Sequence, residues 1–203
     1  MQFRISREIF MRKKSHISLA KGVIHGLDIH SRINHKLTFY IGSIWPDCTP
    51  SFLTKRHCIE ETFDIFMKKM SKFVAKFNPK KDMGYLSTLR MGIVLHYIAD
   101  YFTFPHNTHY TGSLKDHCVY EEELKHRMYE YIDDVKSLNK DYSLPVMADT
   151  EQIAEYIRAK HTQYMNVVGN VDSDCGYAFI ACMCVMASLL EIVSGRTCDM
   201  AAA

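Results

Sequence analysis

Apolar residues recur along the chain with the 3.6-residue period of an α-helix, whereas the period-two alternation of a half-buried strand is hard to find. The pattern predicts an all-α fold. Ile17, Leu19, Ala20, Val23 and Ile24 supply the apolar side of a first helix running towards Leu27 or Ile29, with Ser15 placed as its N-cap. A second helix is expected from about Thr54 to Phe77, where "CIEETFDIFMKKMSKFVAKF" mixes apolar and charged positions at helical spacing and "NPKKDMG" ends it. The third runs from about Gly84 to Phe102 on Leu89, Ile93, Val94 and Ile98; it stops before "FPHN" because Pro105 disfavours helix at Phe104. A fourth is expected from about Leu114 to Ser137 and a fifth from Thr150 to about Val168. The sixth is the apolar segment "CGYAFIACMCVMASLL", Cys175 to Leu190, read as a buried core helix because it is short for a membrane span and Glu191 interrupts it.

At 203 residues the chain is long enough for one domain with a substantial core and short for two, so one domain over residues 1–203 is expected, with a loose tail from about 195. With 47% hydrophobic residues the chain reads as globular, and a net charge of +2 lacks the basic excess that drives phosphate-backbone binding. Seven cysteines, an odd number without a CxxC pair, read as reduced thiols, and "MQFRISREIFMRKKSH" has no apolar h-region of a secretory signal. A cytoplasmic location is the expectation.

The stretch "VLHYIADYFTFPHN" sets ionisable groups among aliphatic and aromatic ones. His96 and Asp100 are four residues apart and so share one helix face, where they can hold one ion together. His106 follows beyond the helix end, His117 and Glu121 repeat the spacing on the next helix, and His16, Asp47 and His57 lie upstream. Chance alone would give about one such His-to-acid spacing. The chain has four, and on spacing alone His57 with Glu61 and His126 with Glu130 read as partly exposed helix-face pairs. Burial sets His96 and Asp100 apart, because an ionised carboxylate without a partner is costly in an apolar setting and a metal is a natural counter-charge. A donor set of histidines and carboxylates without cysteine suits zinc or another borderline divalent metal. Five histidines and three carboxylates are too many for one ion and would support two or three, with Asp100 as the natural bridge.

The order and spacing of these residues from about Ser15 to Glu121 resemble the zinc-dependent phospholipase C family, which includes bacterial phosphatidylcholine-preferring phospholipases and the catalytic domain of clostridial alpha-toxin. "HYIADYFTFPH" carries most of the likeness, and "HKLTFYIGSIWPD" is similar to the family segment ending in Pro-Asp. The resemblance implies an all-helical domain of the kind shared with single-strand nucleases, with zinc as cofactor. By carry-over Asp47, His57, His96 and Asp100 hold one ion, His106, His117 and Glu121 hold another, and Asp100 bridges to a third held partly by His16. In the secreted members an N-terminal Trp completes the third site; this chain begins "MQFRIS" and its only Trp is Trp45. Either Met1 substitutes through its amino group, or the site holds two metals, or it is incomplete and inactive. Glu121 favours the phospholipase branch, since the nucleases resemble a pattern with Asp four after the late His.

A cluster of this type suits phosphate-ester hydrolysis by a metal-activated water, with Asp47 as candidate general base as well as ligand. The substrate implied is a phospholipid or another phosphodiester, with transient contact at a membrane surface. The alternatives are a nuclease or phosphatase on the same scaffold, with nucleic acid as partner only there, and a non-catalytic metal-binding relative. His35 and His109 are candidate partners of ligating groups. Tyr97, Tyr101, Phe102 and Phe104 read as core.

Overall fold

A computed structural model describes residues 2–49, 56–78, 83–137 and 144–201, and the side chains of 14–49, 56–78, 83–135 and 144–195. The described residues form seven α-helices and no strand: α1 (Gln2–Gly26), α2 (Lys36–Ile44), α3 (Ile59–Lys76), α4 (Tyr85–Tyr101), α5 (Leu114–Ser137), α6 (Thr150–Tyr164) and α7 (Val171–Ala201). Single 3₁₀ turns at Pro46–Cys48 and Phe104–His106 follow α2 and α4, each with a proline in its first positions, where the missing N–H costs nothing.

The all-α expectation holds, and α4, α5 and the start of α6 lie where the periodicity puts them. Other boundaries differ. α1 begins at Gln2, so Ser15 lies buried in its interior rather than at its N-terminus. α2 has no counterpart in the sequence reading: at nine residues, with Thr38, Ile41, Ile44, two aromatics and Gly42, it is built from weak helix formers. α3 starts at Ile59 rather than near Thr54, although residues 50–55 lie outside the described part. α6 ends at Tyr164, and α7 continues to Ala201, where a loose tail is expected.

Local rules account for the ends that matter. Ser113 and Asp116 cap α5 reciprocally: the Asp116 carboxylate accepts from the Ser113 backbone N–H (2.8 Å), and the Ser113 hydroxyl accepts from the Asp116 N–H (3.3 Å). Asp149 caps α6 by accepting from the Gln152 N–H at 2.8 Å.

α4 is the axis of the fold, because a helix apolar on every side is stable only when surrounded. Every residue from Met91 to Tyr101 is buried, against α1, α2, α3 and α7. α7 is the second core helix; Val171–Gly195 is long and apolar enough to cross a bilayer, but 67% of an apolar 18-residue window within it is buried inside the fold. α2 crosses α4 at two glycines. A Cβ on Gly42 would lie 2.4 Å from the Leu89 carbonyl oxygen, and one on Gly92 would lie 2.3 Å from the Phe39 carbonyl oxygen. Backbone therefore touches backbone at this crossing.

Candidate metal centre

Five segments converge on the C-terminal half of α4. α1 contributes His16, the turn after α2 contributes Asp47, the residue before the Cys58 N-cap of α3 is His57, and α4 itself supplies His96 and Asp100. The turn after α4 adds His106, and α5 adds His117 and Glu121 one helical turn apart. The structure brings all eight together.

They fall into two groups. In the first, Asp47, His57, His96 and Asp100 place one donor atom each within 4.8 Å of one another; His106, His117 and Glu121 do the same in the second. Asp100 stands between them. Its Oδ2 lies 3.0 Å from both His57 Nδ1 and His96 Nε2, while its Oδ1 lies 3.2 Å from His16 Nε2 and 3.9 Å from His106 Nε2. Asp47 Oδ1 is further out, 3.4 Å from His57 Nδ1 and 3.6 Å from His96 Nε2. In the second group Glu121 Oε1 lies 3.3 Å from His106 Nε2 and 3.4 Å from His117 Nε2.

The electrostatics are those of carboxylates that stay ionised although buried. Burial raises the Asp100 carboxyl, but the imidazoles of His106, His96 and His16 outweigh it and hold the group well below its usual value. Burial also raises Glu121, and hydrogen bonds from His106 and His117 bring it down to about 2. Conversely, burial lowers His106, yet the carboxylates of Asp100, Glu121 and Asp47 lift it to about 9.

The donor chemistry fits divalent cations. The His96 Nδ1 atom is 2.9 Å from the Ser43 carbonyl oxygen, an acceptor only, so Nδ1 carries a proton and Nε2 is the ring atom turned towards Asp100 and His57. His57 Nδ1 lies only 3.0 Å from that nitrogen. Two ring nitrogens and a carboxylate oxygen thus point at one another, an arrangement that needs either bound protons or a cation between them. His16 Nδ1 is buried without a hydrogen-bond partner, a further polar atom left over in the same place.

Three supporting contacts are absent from the sequence reading. The Ser43 carbonyl is the first, delivered by the close crossing of α2 and α4. Asn107 is the second: fully buried, it donates to the carbonyls of Tyr101 and Thr103 (3.2 and 2.8 Å) and accepts from His161 Nε2 at 2.7 Å, which fixes the turn carrying His106. Asp174 is the third. It accepts from the Phe104 N–H (2.8 Å), the Tyr120 hydroxyl (2.8 Å) and the Tyr164 hydroxyl (2.6 Å), tying the His106 turn to α5 beside Glu121. Burial nevertheless pushes its carboxyl up to about 6, because those three donors only partly offset the loss of water. Asp174→Asn, which puts an amide donor where donors already point, should destabilise the fold by about 1–3 kcal/mol. Thermal unfolding reads this as a lower midpoint; an unchanged midpoint would mean that Asp174 holds nothing in place.

Other expectations need correction. His57 bonds to Asp100 and not to Glu61, which instead accepts from the Arg56 N–H at 3.0 Å. The exposed His126 pairs with Glu122, one turn before it, rather than with Glu130. His35 stacks on Tyr85 at 3.7 Å and His109 is exposed; no ligating group is bonded to either among the contacts of the described residues. Tyr97, Tyr101 and Phe102 are core residues as expected, with Phe104 half-buried beside them, and Tyr97 packs against the rings of both His57 and His96.

Comparison with known proteins bears on this geometry directly. The family model described as zinc-dependent phospholipase C matches residues 15–177. No curated protein and no solved structure matches the chain. The matched span opens one residue before His16, contains both groups and reaches past Asp174 into α7. On that coverage, the chain belongs to the zinc-dependent phospholipase C family.

Proposed function

We propose that the protein is a phospholipase C-like hydrolase that cleaves the phosphodiester between a diacylglycerol and its headgroup. The observation that carries the reading is Asp100, whose two carboxylate oxygens serve different sides of one centre. One zinc ion would be held by Asp47, His57, His96 and Asp100, and a second by His106, His117 and Glu121. His16 and Asp100 offer two donors towards a third. Two groups of three or more donors stand among the described residues, and two ions are the proposed complement.

Bound zinc supplies Lewis acidity, polarising a phosphoryl oxygen and making water acidic enough to attack near neutral pH. The chain's own groups do the rest. Asp47 is the proposed general base, because its carboxylate stands furthest from the imidazoles of its group. Ser43 holds the His96 tautomer through its carbonyl, and Asn107 and Asp174 hold the turn that presents His106.

The test is a substrate panel with metal control. Purified protein should contain about two zinc ions and release diacylglycerol from a phospholipid; chelation should abolish release and zinc should restore it. Cleavage of single-stranded nucleic acid with no phospholipid turned over would overturn the substrate class. Bound zinc with neither substrate cleaved would overturn the hydrolase reading.

A further inference from the structure

We propose that the outward face of α2, extended by the start of α4, is a docking surface for a phospholipid bilayer. α2 is the most apolar helix by mean hydrophobic character, yet it is not surrounded. It turns Phe39, Gly42 and Ser43 inward onto α4. Leu37, Ile41 and Trp45, at four-residue steps, form a stripe on the opposite side and are 72, 40 and 46% exposed. Tyr85 and Leu86 at the start of α4 are 66 and 65% exposed, and the stacking of Tyr85 on His35 sets them beside the beginning of α2. Scattered exposed apolar residues need no explanation, but three on one face of α2, with two more beside its start, mark a surface that meets something apolar.

Charge and position select the occupant. α2 contains no Asp or Glu; Lys36 opens it, and Lys21 of α1 lies over the half-buried Tyr40 of α2, with Nζ 5.9 Å from the ring centre. Apolar side chains and a tryptophan edged by lysines suit the boundary where acyl chains meet phosphates. The stripe also leads into the centre: Trp45 is two residues from Asp47, so a bilayer against α2 would present phosphodiesters beside the first metal group. This commitment to a lipid surface rests on the phospholipid reading of the site.

Trp45 is the only tryptophan in the chain, which makes it a selective reporter. Phosphatidylcholine vesicles should shift its emission to shorter wavelength, and brominated acyl chains should quench it. Leu37→Glu combined with Ile41→Glu, both at exposed positions, should abolish the shift and cut hydrolysis of vesicle lipid at least about tenfold. Turnover of a short-chain, monomeric phosphatidylcholine should be unchanged, which also shows that the variant folds. A wild-type protein that hydrolyses the short-chain lipid but gives no vesicle shift overturns the docking surface and leaves the hydrolase reading standing. Vesicle binding without turnover of either lipid overturns the hydrolase reading and supports the surface. A dimer in sedimentation that the double substitution dissociates, with no vesicle shift, assigns the face to a second copy and overturns the proposal.

Discussion

Asp100→Asn is expected to remove zinc from the first group, loosen it in the second and abolish hydrolysis. The substitution keeps size and shape and deletes one negative charge, and among the described carboxylates of the centre Asp100 alone lies within ion-pair distance of both groups: Oδ2 meets His57 and His96, while Oδ1 meets His16 and, more distantly, His106. Loss of a partner one shell out from a metal typically costs 10–100-fold in affinity or activity, so loss of the shared ligand should cost at least about 100-fold. An asparagine amide would also turn a donor towards imidazole nitrogens on one side, leaving them with a poor partner in a buried site. Metal analysis and phospholipid turnover check both halves. Unchanged zinc content and unchanged rate would remove Asp100 from the centre altogether.

Asp100 was also the most legible residue of the chain. Its spacing from His96 puts both on one face of α4, and the unbroken apolar run around them announces burial before any coordinates exist. His117 and Glu121 follow the same rule, and the order of the remaining donors carries the likeness to the family. The supporting contacts were hidden for physical reasons. Ser43 acts through a backbone carbonyl, which every residue possesses, so no side-chain pattern marks it. Asp174 sits in the first turn of α7 next to Asp172, where acids are common because they suit the helix dipole, and its three donors come from segments distant in sequence. The misassigned Ser15 has the opposite cause: a good capping residue lies inside a helix that simply starts earlier. α2 was missed because its stability comes from packing on α4 rather than from propensity, a tertiary effect that local composition cannot register.

That packing yields the second large effect, at Gly92. In Gly92→Ala the new Cβ would lie 2.3 Å from the Phe39 carbonyl oxygen, 2.9 Å from Gly42 Cα and 2.9 Å from the Ser43 backbone nitrogen. All three are backbone atoms, so no side chain can rotate away and α2 must shift as a body. The shift should destabilise the fold by about 1–3 kcal/mol, the usual cost of overpacking. It should also cost activity, because the displaced stretch contains the Ser43 carbonyl that orients His96 and leads directly into Asp47. A loss of about 10–100-fold is expected for disturbing such a support. Gly84→Ala is the control: a Cβ there meets nothing within 4 Å, so the thermal midpoint and rate should stay near those of the wild type. Gly42→Ala should resemble Gly92→Ala, since its Cβ would lie 2.4 Å from the Leu89 carbonyl oxygen across the same crossing. The double variant then separates two accounts. If one methyl already pries the helices apart, the second enters space just opened and the two penalties add to less than their sum. Full additivity would mean that each glycine answers a separate local constraint, and that α2 does not move as the rigid unit which ties the crossing to the metal centre.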